Sequence, residues 1–221
     1  MALRILPFRQ YSEHDVINMF ASDTTDNKPS TNGNGSAGVF VKVNAGNLDL
    51  DPITYNTNAY LGNTSYPFLG AAKYPSVPIT FTAATENAPV FGMTLNQTLL
   101  YDENDEKLLY NPTKTAELQA CLSGQAVPVL TRGMVTLAES AIDWVDANMV
   151  PNSVLFISAT AGKVSGLVST SSAQITGYNV IGKVLATGQR VSSLGQSDYF
   201  ASTTTGKFAL IHFDCTRPQL A

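Results

Sequence analysis

Chemistry in this chain would have to be built from few groups. Its 221 residues include two histidines, His14 and His212, and two cysteines, Cys121 and Cys215. A base or a nucleophile needs a partner at defined spacing. No GxSxG, HExxH or P-loop occurs, nor a GxGxxG that follows a strand. Gly33 and Gly35, in the run NGNG, lack the strand before and the helix after that phosphate binding requires, and read as a loop. His212 stands between Ile211 and Phe213 in an alternating run, where a structural role is expected. The thiols have no CxxC or Cys/His company. They are expected to act as buried small hydrophobes, and spacing leaves open whether they pair.

Carboxylates offer two further readings. The run ESAIDWVDAN sets Asp143 and Asp146 around Trp144, the one tryptophan. Two carboxylates that meet in space are what glycoside hydrolysis needs. A sugar-binding β-sandwich would need only rings, here Trp144 with Tyr55, Tyr60, Tyr66 and Tyr74, although tyrosines more often cap a core or line an interface. Asp102, Glu103, Asp105 and Glu106 invite a calcium reading, but the DxDxDG loop with its closing Glu is missing. A solvated hairpin tip is expected there. The chain therefore reads as a non-enzyme with no catalytic residue, no cofactor and no metal.

Composition narrows the class. Charged residues make up only 14% and the net charge is -4. No Lys/Arg cluster exists to neutralise phosphates, which excludes nucleic acid as an expected partner. Hydrophobic residues reach 44%, as in a folded domain. A surface poor in charge and rich in Thr, Ser, Asn and Gln suits a protein largely covered by neighbours, and equally an extracellular β protein. No apolar run approaches the ~18 residues of a membrane span, so no membrane contact is expected. The opening MALRILPFRQYSEHD is too soon broken by charge for a signal peptide, so synthesis without that export route is expected.

The elements are mostly strands. Residues 1–38 read as an N-terminal arm and linker. Within it, Ser12 and Asp15 resemble a capping box, and Val16, Met19 and Phe20 fall at helical spacing. This short helix either docks on a partner subunit or lies on its own core. Residues 39–112 read as an N-terminal β region, with strands at Val39–Val43, Val77–Thr82 and Val90–Leu95, and a hairpin whose arms are Leu99–Tyr101 and Leu108–Tyr110. Pro78 marks the second strand as an edge or a start. Residues 113–126 read as a connecting helix over Thr113–Ser123, closed by Gly124. Residues 127–221 read as a C-terminal β-barrel module. Its strands are a bent or bulged Val127–Val135, Val154–Ser158, Lys163–Val168, Val180–Ala186 and a closing Phe208–Phe213. Gly182, mid-strand, predicts a bulge or a close backbone approach. The segments FGMTL and VIGKVL resemble each other and hint at two related lobes. The expected fold is mainly β: one or two small β-barrel or β-sandwich lobes with an N-terminal arm and one or two short helices.

Across Arg132–Val191, RGMVTLAES, VPNSVLFISATAGKVSG and YNVIGKVLATGQRV resemble the small β-barrel of tailed-bacteriophage capsid decoration, or cement, proteins. RQYSEHDVINMFA is similar to the openings of structural proteins in phages of marine cyanobacteria. The Asn/Thr-rich stretch Asn44–Tyr66 departs from that pattern. The resemblance implies a virion protein on the outer capsid surface, often a homotrimer, whose partner is the major capsid protein lattice. It implies a protein interface in the arm, anchored by Leu3, Ile5, Phe8, Tyr11 and Phe20. The alternatives are a tail, baseplate or head-fibre adaptor built from similar barrels, or the sugar-binding sandwich.

Overall fold

The apolar stretch expected as one bent strand over 127–135 is two strands, in two different sheets. A computed structural model describes residues 4–21, 26, 29, 33–45, 80–86, 88–122, 125–168, 178–189 and 206–216. In chain order the strands are β1 (Ile5–Gln10), β2 (Val16–Ala21), β3 (Phe40–Ala45), β4 (Thr80–Ala83), β5 (Gly92–Thr94), β6 (Gln97–Thr98) and β7 (Ala120–Cys121). They continue with β8 (Ala126–Leu130), β9 (Arg132–Ala138), β10 (Val154–Ile157), β11 (Val164–Leu167), β12 (Val180–Gln189) and β13 (Lys207–Asp214). A single α-helix, α1 (Pro112–Glu117), stands among the described residues.

The chain is mainly β, as its alternating apolar runs dictate. β2, β4, β3, β5 and β8 close into a barrel, and β1-β9-β13-β12-β10-β11 form a six-stranded sheet. Thr131 is the joint between them. Its N–H and Oγ1 both donate to the Asp15 carbonyl, at 2.8 and 2.9 Å, and its own carbonyl accepts from Cys215 N–H at 2.9 Å. Arg132 pairs with the Asp15 carboxylate at 3.2 Å. The two places where the chain passes between sheet and barrel, 10–16 and 130–132, are thus bonded to each other.

Alternation along β3 and β8 fills two cores at once. Val41, Val127 and Val129 point into the barrel with Met19 and Phe81. Phe40 and Leu130, one residue out of phase, point between barrel and sheet. There they meet Leu137, Leu155, Ile181, Ile211 and Phe213 from the sheet's inner face. At Phe40–Val41 and Val129–Leu130 successive residues are buried on both faces, which is why the sequence runs apolar there.

Several expectations are corrected. The helix expected from Ser12 is one 3-10 turn, Glu13–Asp15, capped by Ser12, whose side chain accepts from His14 N–H. It then becomes β2, because Val16 and Ile17 are β-branched and the segment pairs antiparallel with β8, Val16 opposite Leu130 through Phe20 opposite Ala126. Residues 5–10 and 16–21 are therefore strands of the two sheets, not a free arm. The connecting helix ends at Glu117, since Gln119 takes a left-handed φ of 49° and the chain turns into β7. Leu99–Tyr101 and Leu108–Tyr110 do not form a ladder: Tyr101 bridges Lys107, just before the second arm, Leu108 N–H bonds the Leu100 carbonyl, and the second arm is a 3-10 turn. β13 lies in the middle of its sheet, between β9 and β12, and does not close it. The strand at Gly182 does show a close approach: a Cβ there would lie 2.1 Å from the His212 carbonyl oxygen. Pro78, Gly124 and residues 46–79 lie outside the described residues.

Candidate protein interface

Of the five expected anchors, the structure exposes one. Phe8 is 61% exposed. Ile5 is buried in the main core, and Tyr11 is half-buried against it. Phe20 is half-buried within β2, and Leu3 lies outside the described residues. Phe8 owes its exposure to the register of β1. Ile5 faces Leu137 and Arg9 faces Val135, so four steps of β1 oppose two of β9. The two surplus residues bulge outward. Leu6 stays buried while Pro7 and Phe8 project. β1 is an edge strand, and Pro7, with no N–H to offer, blunts that edge.

Beside the bulge runs a cleft of two lobes. One, about 410 Å³, is lined by β1 residues Ile5–Pro7 and by Leu95 and Leu118. The other, about 560 Å³, is lined by Leu108, Leu109, Ala116 and Leu122. Arg9, Asn96 and Gln119 line both, so the lobes adjoin. Leu109, which lines the second lobe, is 56% exposed, and its neighbour Tyr110 is 78% exposed. The sequence reading missed these two. The signal was the triplet LLY, of which only Leu108 is needed as a buried plug.

The groups considered for chemistry are occupied structurally. The glycine-rich turn at 33–38 leads into strand β3 and no helix. Its anion is internal: Gly35 N–H bonds the Asp26 carboxylate, and a Cβ on Gly33 would overlap it. Burial raises the Asp26 pKa above the ordinary carboxylate value, with Gly35 N–H and then the Arg4 charge pulling the other way. Arg4 is itself buried. One of its nitrogens donates to the Gly33 carbonyl at 3.1 Å, and burial lowers its pKa. Its Nε and Nη1 have no hydrogen-bond partner among the described residues.

Trp144 packs on the main core, its Nε1 donates to Asp146 at 2.7 Å, and Lys207 Nζ stands 5.7 Å from the ring centroid. Core and cation thus hold the ring that a sugar would stack on. Asp146 is lowered first by its bond to Lys207, then by Trp144. Asp143 accepts from Ser158 Oγ at 2.6 Å. His212 is exposed on the sheet, opposite Lys183 and Met134. In the acidic loop the buried Asp102 carboxylate accepts from Asn104 and Glu106 N–H, both at 2.8 Å, an Asx turn. Among the described residues no group of acidic, His and Cys side chains could hold a metal. Both thiols are free, and burial pushes Cys215 up to about 12. Tyr55, Tyr60, Tyr66 and Tyr74 lie outside the described residues. No protein-family model, curated protein or solved structure matches the chain.

Proposed function

We propose that this chain is a virion structural protein that binds the outer surface of an assembled tailed-phage capsid and holds neighbouring major capsid subunits together. The observation that carries the reading is the bulged edge of β1. It sets an exposed phenylalanine beside a partly apolar cleft, on a surface poor in charge. A large aromatic side chain that a partner can bury is of the type that anchors protein interfaces. The resemblance of Arg132–Val191 to capsid decoration barrels supplies the partner. A protein that binds the lattice and not free subunits stabilises the lattice by linkage, about 2.7 kcal/mol per site at a hundredfold excess over Kd.

The test is co-sedimentation of the full chain with undecorated, expanded capsids, with the capsid thermal midpoint read alongside. Saturable binding with a raised midpoint is expected. Phe8→Asp should weaken binding about tenfold or more and leave the protein's own melting unchanged, because the side chain is exposed. Deleting the segment before residue 36 is the wrong probe, since it removes β1 and β2. Sedimentation with tails rather than heads would instead make the chain a tail or baseplate adaptor. Sedimentation equilibrium tests the trimer that the resemblance implies.

A further inference from the structure

We propose that Tyr101–Glu117 is a second docking element, a knob whose Leu109 and Tyr110 enter an apolar socket rimmed by lysine or arginine on a protein partner. The inference rests on the capsid-binding reading and names the partner's chemistry. With Phe8, these two are the most exposed large hydrophobic side chains among the described residues. An adjacent leucine and tyrosine offer the kind of apolar and aromatic area that a protein partner buries at an interface.

The pair is held, not loose. Leu108, 1% exposed, plugs the core beneath it. Its N–H donates to the Leu100 carbonyl at 3.2 Å, and its carbonyl accepts from Asn111 N–H at 3.1 Å and from Thr115 Oγ1 at 2.9 Å. Asn111 then caps α1 by accepting from Lys114 N–H at 3.2 Å. A turn so pinned loses little further backbone freedom on binding.

Charge selects the partner. The knob holds Asp102, Glu103, Asp105, Glu106 and Glu117 against Lys107 and Lys114, a surplus of three negative charges in a chain whose net charge is -4. Lys114 is already shared by Glu103 at 2.7 Å and Glu117 at 3.5 Å. The segment that carries Leu109 and Tyr110 is therefore net negative, with Arg9 the one β1 cation lining the same lobe as Leu109. It disfavours nucleic acid and anionic lipid and favours a cationic protein rim.

The test uses the full chain and undecorated, expanded capsids over a salt series. The double variant Leu109→Ser/Tyr110→Ser should bind about tenfold or more weakly with an unchanged thermal midpoint. Glu106→Lys should weaken binding at low salt, and the difference should shrink as salt screens it. Full affinity in the double variant, or unaltered-chain affinity that does not fall with salt, overturns the knob alone. No binding by the unaltered chain overturns the capsid reading and the knob with it.

Discussion

At the scale of single residues, Asp26 is where pH should act with an unusual sign. Its folded-state pKa lies above the ordinary carboxylate value, so the folded chain holds this proton more tightly than the unfolded chain does. Stability from this group is present at low pH and is lost as pH rises from 3.8 toward the raised value. Glu103, lowered first by its bond to Lys114, acts in the opposite sense and stabilises as it ionises. Asp26→Asn keeps an acceptor for Gly35 N–H and removes the buried charge. Its thermal midpoint should match the parent at acid pH and exceed it at neutral pH. A difference that stays constant across the series would mean that Asp26 does not titrate in this way. The same residue occupies the glycine-rich run 33–38, against Gly33 and Gly35. The anion that this run surrounds is supplied by the chain.

At the scale of elements, closeness of strands decides which glycines matter. A Cβ on Gly182 would meet main chain, 2.1 Å from the His212 oxygen and 2.7 Å from Phe213 Cα. One on Gly188 would meet only the Phe208 ring, at 2.5 Å, and a ring can turn aside. Gly182→Ala should cost about 1–3 kcal/mol or more in urea unfolding, and Gly188→Ala less. Equal costs would contradict this reading of the β12–β13 contact. Strand identity was legible where apolar residues recur every second position or run on unbroken, as at Val39–Val43, Val154–Ser158 and Val180–Ala186. Partner and register were not, because they depend on contacts distant in sequence. The spacing of Val16, Met19 and Phe20 fits a helix as well as a half-buried strand, and pairing with β8 decided for the strand. Phe8 could be named as an anchor, but the surplus residues that expose it exist only relative to β9. Leu109 and Tyr110 were hidden in a triplet that looks like core.

At the scale of the molecule, barrel and sheet share one core and two bonded crossings. Phe40, fully buried in β3, meets Phe213 of β13 edge-on, with centroids 5.3 Å apart. Phe40→Ala should therefore cost about 3–5 kcal/mol and lower one common transition, with calorimetric and van't Hoff enthalpies in agreement. Two transitions, of which only one moves, would show the lobes to be separable. The position of β13 has a further consequence. It pairs on both sides, with β9 and with β12, and it is the last of the described strands to be made. At about 5–20 residues per second of synthesis, β1 and β9 wait several seconds on the ribosome as a ribbon with an open inner edge. Until Lys207–Asp214 emerges, β9 and β12 each carry an unpaired edge of the kind that invites aggregation.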